Sequence, residues 1–365
     1  MKPCIVVSGV NLTEMGPLSV FRDGLKSLAE KFSDRYEIVA LVHRQDLLNI
    51  PGVKYVEFPD IKSSWLKRIR FEYWTSKKIS ERLLPKLWLS MDNMTPNVIS
   101  ETQAVYCHNP SPFWPFKIQD FMLDWKFGLF TLFYGHLYRI NISRNNYVIV
   151  QQDWIRRSFQ RRYGVKNVIV SHPSVNTHGI ISSIAGTRTT APYRFFYPAY
   201  PRTFKNAEVA LKAARLLEAE SFNAFELWLT FDQTVTKYAA AIAKQFSDVR
   251  AVRWLGILPR QRILELYAQA DCLLFPSKLE TWGLPITEFK ATGKPILAAD
   301  LPYAHETIGD YGQVALFAPD NFEELAKLMK SAASGKPTFS SVAASRIAPP
   351  FSRDWSELWS LLLPL

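Results

Sequence analysis

Short β-branched runs alternate with amphipathic helical stretches along most of this chain, and that alternation limits its fold more than any other feature. Residues 5–8 read as a strand, and Phe21, Leu25, Leu28 and Phe32 follow at helical spacing. Residues 37–42, 53–58, 104–107, 147–150 and 167–170 read as further strands, with helices predicted over 63–90, 117–140 and 152–163. Strand then helix, repeated, demands parallel βαβ units with helices over both sheet faces. The pattern lapses over 174–192, which is rich in Ser, Thr and Gly and ends at Ala191-Pro192. It then restarts, with strands at 194–197, 225–229, 251–254, 271–275 and 295–298 and helices at 205–219, 234–246, 260–269, 284–292 and 321–333. The expected fold class is therefore α/β, with two doubly wound parallel-sheet domains: 1–175, a linker at 176–192, and 193–350. A last helix within 351–365 carries Trp355, Leu358, Trp359 and Leu362 on one face, with the reach to pack back across both domains.

A chain of 365 residues, 48% hydrophobic and 21% charged, buries two cores without staples. Cys4, Cys107 and Cys272 lie far apart in apolar runs. An odd, unclustered count fits buried thiols in a reducing compartment and excludes a disulfide scaffold. The N-terminus reads as a first strand and not as a signal peptide, and no run reaches the ~18 apolar residues of a membrane span. The expected location is cytoplasmic. Net charge is +11, and it is lopsided. Residues 1–172 hold 24 Lys and Arg against 15 Asp and Glu, whereas 173–365 hold 20 against 18. That excess points to an anionic partner for the first half.

The most specific stretch is Pro276-Ser277-Lys278-Leu279-Glu280-Thr281-Trp282-Gly283-Leu284-Pro285-Ile286-Thr287-Glu288. It follows an apolar strand and opens a helix, with Pro285 in the first turn, where a missing N–H costs nothing. Free N–H groups and the positive end of the helix dipole favour an anion there, and Gly283 lets one approach the backbone. Glu280 and Glu288 frame the turn, and carboxylates accept hydrogen bonds from sugar hydroxyls. A nucleotide sugar has both phosphates and hydroxyls.

These residues resemble the E-x7-E signature of retaining glycosyltransferases of family 4, which have the GT-B fold of two Rossmann-like domains facing across a cleft. The likeness runs through Trp254-Leu255-Gly256, Leu266-Tyr267, Ala270-Asp271 and Phe275-Pro276-Ser277 to Gly293-Lys294-Pro295, covering most of 193–335. It implies a donor site on the C-terminal domain. Glu288 would bind the nucleotide ribose, Glu280 the donor sugar's hydroxyls, and the backbone of Gly283 and Leu284 the diphosphate. Lys205 stands where the family places a diphosphate-binding lysine. The family's arginine position holds Tyr200, and Arg202 is the substitute at hand. The turn at Ile257 would meet the base. No Asp-x-Asp occurs in the chain, so the simplest two-carboxylate metal clamp is missing. The resemblance implies a metal-independent, retaining transfer without a resident cofactor. Charge on the leaving diphosphate would be met by Lys205, Arg202 and the helix start.

The first half offers less. Gly16, near Gly9 in the loop after the first strand, lies where GT-B transferases place a Gly-rich loop, and a tight turn explains it equally well. His108 ends a predicted strand at the carboxyl edge of the sheet, where ligands bind. In the family a histidine here faces the donor sugar and would join Glu280 in catalysis; a structural histidine is the other reading. Residues 61–90 hold eight basic residues against two acids, interleaved with Trp65, Phe71, Tyr73, Trp74 and Trp88. Lys67, Arg68 and Arg70 beside Trp65 and Trp74 suit either an anionic membrane surface or a solvated helix face. Residues 113–138 carry ten aromatics, fit for a lipid-linked acceptor's wall or for a core.

The expectation is thus a hexosyltransferase of the bacterial surface-polysaccharide (lipopolysaccharide) type at the inner face of the cytoplasmic membrane. Its donor would be UDP- or GDP-linked and its acceptor a saccharide, lipid-linked in the favoured reading. The alternatives are a GT-B sugar-nucleotide epimerase or phosphorylase, and a basic nucleic-acid-binding protein. No nucleic-acid motif supports the last, and no nucleic-acid partner is expected.

Overall fold

A computed structural model describes residues 2–13, 15–174, 192–340, 342 and 346–363. The expected linker falls almost wholly outside the described residues. The chain forms two compact units. The first comprises Met1–Phe113, Thr131–Ser174 and Ile347–Leu365, and the second Trp114–Phe130 and Val175–Arg346. This division differs from the sequence's in two places. Residues 114–130 group with the second unit, and the last helix belongs to the first.

The first unit holds an eight-stranded parallel sheet. Its strands are β1 (Cys4–Gly9), β2 (Glu37–Val42), β3 (Val53–Glu57), β4 (Leu87–Ser90), β5 (Thr102–Cys107), β6 (Tyr147–Val150), β7 (Val168–Ser171) and β14 (Phe351–Ser352). They lie in the order β14-β7-β6-β5-β4-β1-β2-β3. The inner strands are almost wholly buried, as an all-parallel sheet covered on both faces requires. The helices are α1 (Met15–Phe32), α2 (Trp65–Arg70), α3 (Ser76–Leu83) and α6 (Asp153–Tyr163), with α13 (Trp355–Leu362) at the end of the chain; α4 (Ile118–Leu123) belongs to the second unit, as does α5 (Trp125–Arg139) up to Phe130.

The second sheet has six parallel strands: β8 (Tyr193–Tyr197), β9 (Phe225–Leu229), β10 (Val252–Trp254), β11 (Cys272–Phe275), β12 (Ile296–Ala299) and β13 (Val314–Phe317). Their order is β10-β9-β8-β11-β12-β13. The helices are α7 (Ala207–Ala219), α8 (Lys237–Gln245), α9 (Arg260–Gln269), α10 (Leu284–Lys290), α11 (Pro302–Ile308) and α12 (Phe322–Ala333).

Two long predicted helices are corrected. The helix expected over 63–90 is α2, a π-helical turn at Phe71–Thr75, and α3, followed by the unforeseen strand β4. Leu84 leaves the helix in the left-handed region (φ 43°), and Pro85 cannot continue it. The stretch over 117–140 breaks at Asp124, whose extended backbone separates α4 from α5. Short elements α11, β13 and β14 also escaped the periodicity, because two to seven residues carry too little of it. The three cysteines are free, and Cys107 and Cys272 are buried. No helix among the described residues is long and apolar enough to cross a membrane.

Helix α13 is part of the first core. Trp355, Leu358, Trp359 and Leu362 join Leu25, Leu28 and Phe32 of α1, and Trp355 stacks on Tyr106 of β5 at 5.6 Å between ring centroids. Gly24 of α1 makes this possible, since a Cβ there would lie 2.8 Å from the Trp355 ring. Gly24→Val is expected to cost about 1–3 kcal/mol through overpacking. Urea unfolding should show a lower midpoint with an unchanged m-value.

Candidate functional site

In a parallel sheet, loops at the carboxyl ends of the strands splay apart where the strand order reverses, and ligands bind in that crevice. The second sheet reverses between β8 and β11: β9 and β10 lie on one side, β12 and β13 on the other. The loops after β8 and β11 carry Lys205 and Glu280, and across the reversal the Lys205 ammonium donates directly to the Glu280 carboxylate. Both side chains are largely shielded from solvent.

The local sequence builds this pair rigidly. After β8 the chain turns through a 3-10 segment, Thr203–Lys205, into Asn206, whose left-handed backbone (φ 57°) precedes α7. The Asn206 side chain donates to the carbonyls of Pro276 (3.1 Å) and Pro319 (2.7 Å), while Tyr197 Oη donates to the Lys205 carbonyl at 2.6 Å. The Lys278 N–H donates to the Phe204 carbonyl at 2.8 Å, tying the two loops together. The second loop is pinned from α11 as well: Tyr303 donates to the Ser277 carbonyl at 2.6 Å, and Thr307 to that of Trp282. Gly283 sits at φ 86°, which a side chain rarely tolerates, and launches α10 with Leu284 and Pro285 in its first turn.

Glu288, one turn into α10, is 1% exposed. Its two oxygens accept from Tyr267 Oη at 2.8 Å and from an Arg260 guanidinium nitrogen at 2.5 Å. Arg260 is the exposed partner, with 58% of its side chain in solvent. Arg202 donates to Asp124 and lies over the Tyr200 ring at 5.3 Å. Phe127 packs on Phe204 at 4.7 Å between centroids. Ile257 is half exposed just beyond Gly256 (φ 71°), in the turn after β10. Lys205, Glu280, Gly283 and Leu284 therefore share one edge of the sheet, with Arg202 immediately before the 3-10 turn.

Sequence reasoning missed the partners. Asp124, Tyr267 and Arg260 each neutralise or satisfy a residue it had singled out; Leu266-Tyr267 belongs to the family likeness, but nothing in the sequence pairs Tyr267 with Glu288, and no motif flags Asp124 or Arg260. Their sequence separations, 78, 21 and 28 residues, close only through the fold.

In the first unit the strand order reverses between β1 and β4. Gly16 lies in the first turn of α1, not in a loop. Asp92, after β4, accepts instead from the backbone N–H groups of Val10 (3.0 Å) and Asn11 (3.1 Å), so a carboxylate of the chain already fills the turn after β1. Arg68 is not on the exposed basic face but donates to the Asp92 carbonyl at 2.5 Å. Glu72, fully buried in the π-helical turn, has no hydrogen-bond partner for either oxygen among the described residues. Burial first, then the Asp92 charge, raises its carboxyl well above the usual range.

His108 follows β5 at the same edge. The Asn93 amide oxygen accepts its backbone N–H at 2.6 Å, and the Asn93 amide nitrogen lies 3.1 Å from Nε2. Burial, then the Arg68 charge, pushes this imidazole down to about 4. It is neutral at neutral pH. The unfolded chain binds a proton below about pH 6.5 that the native state takes only near 4, so this residue removes stability as pH falls through that window. His108→Gln is expected to lose less thermal stability than the wild type between pH 6.5 and 4, as measured by calorimetry.

Residues 181–343 match the family model for glycosyl transferases group 1. A 64-residue stretch is 38% identical to O-antigen chain mannosyltransferase B of Escherichia coli, covering 18% of this chain and 17% of that protein. Over 316 residues the chain is 21% identical to O-antigen chain mannosyltransferase RfbU of Salmonella typhimurium, covering 82% of this chain and 84% of that protein. The solved lipopolysaccharide outer core galactosyltransferase WaaB, in its apo form, superposes with a TM-score of 0.62 at 16% identity, over 93% of this chain and 92% of that one. The two parallel-sheet α/β units match GT-B glycosyltransferase structures. The residues that match the family model, 181–343, lie within the second unit.

Proposed function

We propose that this protein is a glycosyltransferase of lipopolysaccharide or O-antigen assembly that takes a nucleoside diphosphate sugar on its second unit. The observation that carries this is the Lys205–Glu280 pair at the strand-order reversal. A cation for a diphosphate and a carboxylate for sugar hydroxyls meet where a parallel sheet binds ligands. Family match, relatives and fold all support the same reading.

In this reading the Lys205 ammonium turns from Glu280 to the diphosphate, and Arg202 assists when it leaves Asp124. Glu280, released, accepts hydrogen bonds from the donor sugar, and the Gly283 and Leu284 N–H groups face the phosphate. Ile257 supplies an apolar surface to the base. Glu288 reaches the ribose once Arg260 swings into solvent. The acceptor hydroxyl attacks the anomeric carbon from the leaving-group face, with retention. The carbon–oxygen bond to the diphosphate breaks, and the hydroxyl's proton passes to the departing phosphate oxygen. Charge on that oxygen is stabilised by Lys205 and Arg202, so the step runs without a metal ion or resident cofactor. His108, neutral and held by Asn93, offers its imidazole to a sugar hydroxyl. The acceptor is a saccharide, lipid-linked, met at the inner membrane face, where exposed Trp65 and Trp74 with Lys67 and Arg70 contribute an interfacial surface. Both curated relatives are mannosyltransferases, so GDP- or UDP-linked mannose is the first donor to test.

Lys205→Ala and Glu280→Ala are each expected to lower transfer about a hundredfold or more while circular dichroism stays native. Unchanged turnover in both would remove this site. Calorimetry should show one of UDP or GDP binding selectively without magnesium and raising thermal stability. Binding only with magnesium would overturn the metal-free step. Donor incubated alone separates transfer from epimerisation, since an epimerase would release free sugar with no acceptor present.

A further inference from the structure

Residues 115–126 bear a surface that the donor site does not use. Among the described side chains of this stretch, every exposed one is apolar or a lysine. Phe116, Ile118, Met122 and Trp125 stand 43%, 64%, 73% and 53% exposed, with Lys117 and Lys126 between them. Both acids turn inward: Asp120 accepts from Trp114 Nε1 at 2.8 Å, and Asp124 accepts from Arg202. The Lys117 ammonium lies 5.3 Å from the Trp114 ring centre and that of Lys126 5.9 Å from Trp125, so each cation is held over an indole ring of the same segment.

An outer face of large apolar side chains edged only by cations is unsuited to water. Among the described side chains it lacks the acids, hydroxyls and amides with which a protein interface fixes its register. It suits an apolar layer beneath negatively charged head groups. The inner face of the same segment touches the donor arginine through Asp124 and the residue beside Lys205 through Phe127 on Phe204.

We propose that residues 114–126 seat this protein on an anionic lipid bilayer, and that docking is linked to diphosphate binding through Asp124. A bilayer that draws the segment outward takes the carboxylate from Arg202 and leaves the guanidinium free for an anionic ligand. The linkage is reciprocal, so a bound diphosphate strengthens docking by the same factor. The docking stands on the surface alone; the linkage rests on the donor-site reading above.

The test combines co-sedimentation with phosphatidylcholine vesicles, with and without phosphatidylglycerol, and titration of UDP and GDP. The wild type should bind only the phosphatidylglycerol vesicles. The double variant Met122→Ser/Trp125→Ser should lose that binding, and Lys117→Gln/Lys126→Gln should weaken it about tenfold. All four positions are exposed, so both variants should keep native melting and wild-type diphosphate affinity without lipid. Vesicles should raise the wild type's diphosphate affinity severalfold. Asp124→Asn should already bind more tightly without lipid and respond no further. Vesicle binding that is absent, or indifferent to the outer-face variants, overturns the docking. So does a dimer that the Met122→Ser/Trp125→Ser change dissolves, since the face would then belong to a second copy. Equal diphosphate affinity with and without vesicles overturns only the linkage. If neither diphosphate binds, the donor reading fails, while the vesicle arm still decides the docking.

Discussion

A parallel sheet must reverse its strand order somewhere if helices are to cover both faces, and this molecule brings buried charged groups together at the two reversals. The β8–β11 reversal brings residues 75 apart in sequence into an ion pair. The β1–β4 reversal brings Asp92 onto the N–H groups of Val10 and Asn11, 82 and 81 residues away. Both follow from right-handed crossover connections, which deliver each loop to the carboxyl edge. The remaining elements act as supports. Asn206, Tyr303 and Thr307 have their polar ends on backbone carbonyls of the loops, which fixes the loops before any ligand arrives.

The two reversals use charge differently. In the second unit, Lys205 holds Glu280, Arg202 holds Asp124, and Arg260 holds Glu288, so each of these charges is compensated within the chain. Exchanging one ionic partner for another costs less than exposing or burying a bare charge. In the first unit, the carboxyl groups of Asp92 and Glu72 share the field of Arg68, and desolvation outweighs it at both. A turn already filled by Asp92 is poorly suited to a phosphate.

Legibility in the sequence followed burial. Strands 37–42 and 147–150 and helix 260–269 stand at their expected bounds, because continuous apolar runs and helical periodicity extend over their whole length. The strand at 87–90 hid inside a predicted helix because Leu87, Trp88 and Leu89 form an unbroken apolar run, a pattern that strand and buried helix share. Only Pro85 marked the boundary. Arg68 was read onto an exposed face by composition, yet its side chain turns in toward the Asp92 carbonyl, a partner 24 residues on.

The sequence by itself determined the class of fold and the motif around Glu280 and Glu288, since periodicity and local turn chemistry are properties of neighbouring residues. It also determined that 113–138 is aromatic and 61–90 basic. Only the tertiary structure decided which of those side chains face water, that Asp124 meets Arg202, that Glu288 is held by Arg260 and Tyr267, and that Trp355 fills the gap left by Gly24. Those outcomes depend on distances between residues far apart in the chain, and such distances exist only once the sheets are closed and their strand orders set.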